Sequence, residues 1–350
     1  MSRNSLGADA SASALINWRP DSMQNVILRR VAGAVFTMWI ILTILFFLFR
    51  LGLPDPTVAL VSDGLSPDDR AIVMQRFGLD RPLHEQYFIY LRNAVTGELG
   101  RSFHYNAPVA GLIGERFLNT IVLMIPALIL SYTIGPLLGV MLAWKRGSKL
   151  EVGGITTGLV LRSAPMFWTG MLAVMVFGIW FGWFPTSGMR TFPYTATGFL
   201  DKILTVDFLR HLIMPTIVIT LYYTGLPMLI MRNTMLEVMG DDFIEFAHAR
   251  GLGARRVMYR HAARNALLPV ITQLAITVGL AAGGQVVVEV VFSWPGLGLE
   301  MFNAVRTSDY PLAQASFMLL AGLVLLMNLI VDMIYTWLDP RISFSSEGGR

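Results

Sequence analysis

The chain has 350 residues, of which 54% are hydrophobic and 14% charged, and its formal net charge is +4. Water-soluble domains are about a quarter charged, so this composition excludes a soluble globular protein. Cysteine is absent and the five histidines are scattered with no His-Glu-x-x-His, which excludes disulfides, iron–sulfur clusters and thiolate zinc sites and leaves no signature of a metalloprotease.

Residues 1–25 are rich in Ser, Ala and Asn without periodicity, as in a mobile tail. Arg29 and Arg30 then precede an uninterrupted apolar run from Val31 to Phe49. That run suits an uncleaved membrane span and is too long for a signal-peptide core. Residues 51–117 form a polar insertion with helix signals. Ser66-Pro67-Asp68-Asp69 offers a capping serine, a proline at the first helical position and acids in the first turn. Tyr87, Tyr90, Leu91, Ala94 and Val95 make a helical stripe that ends near Gly97, and 97–102 read as a turn. Five more apolar stretches follow, at about 120–144, 154–181, 212–231, 267–292 and 313–338. Each comes near or exceeds the roughly 20 residues that cross a bilayer. The expected fold is therefore all-α, an integral membrane protein with six transmembrane helices. Pro126, Pro136, Pro165, Pro215, Pro227 and Pro269 lie in or beside the spans, where each frees a backbone carbonyl and favours a kink.

Basic residues near span ends set the orientation. Lys145, Arg146 and Lys149 lie between spans two and three, and Arg232, Arg250, Arg255, Arg256, Arg260 and Arg264 between four and five. They share a side with Arg29 and Arg30, so both termini are expected in the cytoplasm. The insertion at 51–117 holds six arginines against eight acids and belongs outside. Three charged residues sit near membrane depth: Arg162, Glu289 and Asp332. A structural ion pair between Arg162 and Asp332 is one reading and a snorkelled arginine the other; Glu289 is expected near the outer interface. None has the partners for catalysis. The chain has three lysines, and none stands in a Gly-x-x-x-x-Gly-Lys-Ser/Thr loop, so it is not expected to bind ATP itself.

The longest polar, helix-patterned stretch runs from Asp241 to Pro269. Asp242 and Glu245 stand three apart, as in a capping box. Phe243, Phe246 and Ala247 fall on one helical face. Gly251 sits where a left-handed stop is expected, and an arginine-rich helix should follow over 254–266. From these residues alone the stretch is either a charged loop or a short helix that docks into a groove on a partner.

Glu245-x-Ala247-x-x-x-Gly251 with the later Leu268-Pro269 resembles the EAA loop of ABC importer permeases. His261, Ala262, Ala263, Arg264 and Leu267 before Pro269 resemble the longer form in the dipeptide/oligopeptide subfamily, although Phe246 replaces the second residue of the usual Glu-Ala-Ala. Further matches are Phe77 to Pro82, Gln86-Tyr87, Gly97-x-x-Gly100-x-Ser102, Pro108-Val109 and Glu115-Arg116. Ser163 to Trp168, Trp183-Phe-Pro185, Glu289 to Gly298, Asp309-Tyr-Pro311, Asn328 to Asp332 and Leu338 to Arg341 continue the likeness. The resemblance covers about 26–342; the usual Pro-Gly-Asp-Pro after span one is reduced to Pro54-Asp55-Pro56.

The resemblance implies a type I permease subunit in a bacterial or archaeal cytoplasmic membrane. Its implied layout is a tail at 1–25, a first span at 26–51, an extracytoplasmic helical insertion at 52–117, a five-helix core at 118–342 with the cytoplasmic EAA loop at 232–265, and a tail at 343–350. Implied partners are a second related permease, two ATPase subunits, a solute-binding protein and membrane lipid, with no nucleic acid. ATP and magnesium would sit on the ATPases and no cofactor on this chain. Asp242, Phe243, Glu245, Phe246, Ala247, Arg250 and Gly251 would couple to the ATPases. The solute would be a di- or oligopeptide, with oligosaccharides and nickel complexes as alternatives within the family. A secondary carrier and an intramembrane enzyme are the alternatives from other classes.

Overall fold

A computed structural model describes residues 23–52, 81–193, 198, 201, 203–282 and 285–338. Every regular element among them is helical, and the one extended feature is an isolated bridge between Arg101 and Pro108. The helix start expected at Ser66 lies outside the described residues.

The first span is α1, Met23–Phe47, which continues through a π-helical turn, Leu48–Gly52. The stripe in the insertion becomes α2, Leu83–Thr96, and Gly97 closes it with φ 75°. Tyr87 ties α2 to α1: its hydroxyl lies 2.8 Å from Thr43 Oγ1 and its ring meets Phe46 edge-on at 5.3 Å.

The second span is longer than its apolar run. Helix α3, Val109–Trp144, has 36 residues. That is roughly 54 Å at 1.5 Å per residue, against about 30 Å of hydrocarbon. Residues 109–117, expected in the insertion, are thus the first turns of the helix that becomes the span. The fourth span, α6, Val206–Val238, overruns its apolar stretch at both ends in the same way.

Helices α3 and α6 form the central pair, and small residues bring them together. A Cβ on Gly135 would stand 2.9 Å from Pro227 Cγ, and one on Gly139 would stand 2.5 Å from the Met228 carbonyl oxygen. Helices in lipid gain by close backbone approach, because no hydrophobic driving force separates helix from tail. Gly225 brings α4, Lys149–Ser163, equally close: a Cβ there would lie 2.8 Å from the Gly158 carbonyl.

Two expected single spans are broken. Helix α4 and the following α5, Met166–Ala173, with its π-helical extension Val174–Trp180, bend by 97° at Ala164-Pro165. Proline disfavours helical geometry in the residue before it and lacks the N–H that would continue the ladder. The stretch expected as one span over 267–292 is α10, Leu268–Ala282, and a separate α11, Val286–Val291. Between these and α6 lie α7, Asp242–Ala249, and the helical turns α8, Ala254–Arg256, and α9, Ala263–Ala266, joined by a π-helical Val257–Ala262. The chain ends in α12, Leu297–Arg306, and α13, Tyr310–Leu338. By length and composition the described residues hold four membrane-crossing helices, or five with the bent pair. The count of six is not reached because the fifth apolar stretch is divided.

Candidate functional site

The stretch from Asp241 to Ala266 is a short helix, a glycine turn and further helical turns, packed against the ends of α3 and α6. Asp241 is the N-cap, with extended backbone and no side-chain capping bond. The capping box expected between Asp242 and Glu245 does not form. The helix starts at Asp242, so both acids fall inside its first turn and face the N-terminal dipole instead. At the other end Gly251 has φ +74°. Its N–H donates to the His248 carbonyl at 2.9 Å, and the Leu252 N–H donates back to the Ala247 carbonyl at 3.3 Å. This pair of bonds is the Schellman stop, which needs a left-handed residue where glycine costs least.

The apolar face divides in two. Ala247 is buried, and its inward companion is Ile244, which sequence reasoning passed over although the two stand three apart. They pack among Val140 and Ala143 of α3, Met231 and Met235 of α6, and Val257, Met258 and Ala262. Phe243 and Phe246, expected to share a face with Ala247, point away and are 39% and 62% exposed. Asp242, Glu245 and Arg250 are exposed too. The Arg250 guanidinium lies 5.1 Å from the Phe246 ring centroid, which pre-orients the ring. One face of α7 is thus bound to the ends of both central helices, and the other presents two aromatic rings.

A second link at this end joins α4 to α6. Arg232 Nε donates to Glu151 Oε1 at 3.0 Å, while Glu151 Oε2 accepts the Gly147 N–H at 2.6 Å. Ser148 Oγ caps α4 by accepting the Glu151 N–H at 3.2 Å. The Ser-x-x-Glu spacing at 148–151 carried this signal in the sequence.

The opposite end is organised by buried acids. Glu289 is not interfacial: it is fully buried. Its carboxylate accepts from Thr120 Oγ1 at 2.7 Å and from the Leu299 N–H at 2.9 Å. Gly296 leaves it room, since a Cβ there would come within 2.4 Å of the carboxyl carbon. The turn at 293–298 therefore wraps a carboxylate. Asn119 grips the same turn, accepting the Trp294 indole N–H at its carbonyl (2.9 Å) and donating from Nδ2 to the Pro295 carbonyl (2.8 Å). Asp309 is likewise buried and accepts from Ser102 Oγ, from the His104 N–H at 3.1 Å and from the Leu312 N–H at 3.3 Å. Arg116 Nε reaches Glu300 Oε2 at 2.8 Å. Motifs far apart in the chain are pieces of one assembly here.

At mid-depth Arg162 is exposed near the end of α4, beside Gly225 of α6. The Asp332 side chain lies outside the described ones, so a pair between the two has no geometry here. Among the described residues no group of three or more His, Asp or Glu could hold a metal ion.

This architecture is that of a polytopic membrane subunit with a short exposed aromatic face at one end, and the comparisons give the class. The chain belongs to the family of binding-protein-dependent transport system inner membrane components, which matches residues 135–344; an N-terminal family of the same systems matches 23–124. It is a type I ABC permease, a multi-pass inner-membrane transport subunit and not an enzyme, and the family ties it to a solute-binding protein and an ATPase. Among its relatives is the di/tripeptide transport system permease protein DppB of Pseudomonas aeruginosa, 36% identical over 332 residues, 91% of this chain and 99% of that one. The dipeptide transport system permease protein DppB of Escherichia coli is 34% identical over 336 residues, with the same coverage. A putative peptide permease protein of Brucella suis is 37% identical over 309 residues, 87% of this chain and 95% of that one. Membership sets aside the secondary carrier and the intramembrane enzyme.

Proposed function

We infer that this chain forms one half of the translocation path of an ATP-driven importer of short peptides. A second related permease, two ATPase subunits and an extracytoplasmic solute-binding protein complete the assembly. The peptide reading follows the names of relatives that match nearly end to end. The arginine-rich end is cytoplasmic and both termini lie on that side, by the excess of basic residues there. Six crossings result when α4 with α5, and α10 with α11, each count as one broken span. The insertion at 52–117 is the landing surface for the binding protein. ATP and magnesium reside on the ATPases.

The observation that carries the mechanism is the divided face of α7. Ile244 and Ala247 are embedded among the ends of α3 and α6, whereas Phe243 and Phe246 are free to enter a cleft on an ATPase. Asp242, Glu245 and Arg250 ring those two anchors with charge, and Gly251 turns the chain back into the core. When ATP closes the ATPases, a pull on the rings displaces α7. Because α7 is packed against α3 and α6, the displacement opens the path outward. Phe243→Ser with Phe246→Ser should leave the permease pair assembled and remove ATPase subunits from it. Co-purification measures both, and wild-type ATPase content in the double variant would refute the assignment. Uptake of a labelled dipeptide into vesicles loaded with ATP, with and without the binding protein, tests the transport reading.

A further inference from the structure

Helices α4 and α6 meet at Arg162, whose Cβ would lie 3.5 Å from a Cβ on Gly225. Helix α4 carries it and packs on α6 through Gly158 and Gly225. Tyr223 stands on α6 two residues before Gly225, and Tyr132 belongs to α3, the helix that packs on α6. Each tyrosine hydroxyl is fixed by hydrogen bonds. Tyr132 Oη lies 2.5 Å from Thr277 Oγ1 of α10 and donates to the Gln273 carbonyl at 3.2 Å. Tyr223 Oη accepts from Gln285 Nε2 at 2.6 Å.

Arg162 lies thirteen residues along α4 from Lys149 and Tyr132 twelve residues from the end of α3 at Trp144. Both are therefore about 18–20 Å from the arginine-rich end, near the middle of a bilayer. A cation at that depth faces the bundle interior or water, because lipid cannot solvate it. Arg162 forms no ion pair with a described residue. Helix α13 stands on the far side of α10: Gly279 meets it, with a Cβ 3.3 Å from Met327 Cβ, and Gly279 lies about 200° around the helix from Thr277.

We propose that Arg162 lines the aqueous path and receives the carboxylate of the passing solute. This rests on the peptide reading above. A path that passes peptides of varied side chains can read only what they share, and the terminal carboxylate is the shared anion. A guanidinium matches it with two parallel N–H donors.

The test uses the absence of native cysteine. Arg162→Cys is placed in the full assembly, reconstituted with its binding protein, with cysteines in the other chains replaced. Dialanine uptake should fall about ten- to a hundredfold, the loss expected for one charge-assisted contact. A cationic methanethiosulfonate should restore most of it and an anionic one of similar size should not. Arg162→Lys should retain much of the uptake, and subunit content reports assembly. Equal effects of the two reagents would overturn the proposal. So would an Arg162→Cys variant whose new thiol neither reagent labels in the resting or nucleotide-trapped state, or uptake restored by combining Arg162→Asp with Asp332→Arg. If the wild-type assembly imports no dialanine, the peptide reading fails by itself; a reactive thiol in the Arg162→Cys variant then still keeps position 162 in the path, and an unreactive one removes it.

Discussion

Two single residues show how local geometry sets the ends of this bundle. At Gly251 a side chain would meet nothing within 4 Å, so the cost of substitution is the left-handed backbone alone. Gly251→Ala should cost about 1–2 kcal/mol locally, and Gly251→Val more, because a β-branched residue tolerates positive φ poorly. The variant should still pair with its sister permease but lose ATPase stimulation by loaded binding protein, and subunit content together with stimulated hydrolysis measures this. Glu289 is the opposite case, where the neighbours and not the backbone decide. Glu289→Ala strands the donors of Thr120 and Leu299 in a buried site, at about 1–3 kcal/mol for each group left unpaired. Gly296→Ala should do similar damage from the other partner, since its Cβ would overlap the carboxylate. Thermal unfolding of the purified assembly should fall for both. Wild-type stability of Gly296→Ala would show that the turn does not need the carboxylate.

Among the elements, the contact of α3 with α6 is the most extensive between described helices. It is built on Gly135 and Gly139 facing Pro227, Met228 and Thr224. Gly139→Ala forces a shift of backbone and should cost about 1–3 kcal/mol by overpacking. Gly111→Ala, in the same helix with nothing within 4 Å, should gain about 0.5–1 kcal/mol from helix propensity. The contrast in melting temperature between the two isolates packing from propensity, and equal shifts would remove the close-contact argument. The helix was readable in the sequence from its apolar run, whereas the partner of each glycine was not.

For the whole molecule the distribution of charge sets the topology. Single cysteines at Asp69 and Arg256, in this cysteine-free chain, should be labelled by an impermeant reagent at 69 and not at 256 in intact cells. The reverse pattern would invert the orientation. Such labelling also tests the insertion at 52–117 as an outer domain.

Composition and hydropathy determine the membrane class, the number of apolar stretches and the position of the polar segment between the fourth and fifth of them, because each depends on residues near one another in the chain. Gly251 as a left-handed stop and the helix before Gly97 were legible for the same reason. What only the tertiary structure decided depends on which surfaces meet. Ala247 turned inward with Ile244 while Phe243 and Phe246 turned outward, because the ends of α3 and α6 cover just one side of α7. Periodicity gives a face its residues but not its neighbour. Glu289 looks interfacial in a linear reading, yet it and Asp309 are both buried where donors from distant segments converge. Ser102 and Asp309 meet across 207 residues, a pairing that no local pattern encodes. The break in the third stretch lies at Pro165, a residue visible in the sequence, whereas its angle of 97° is known only from the fold.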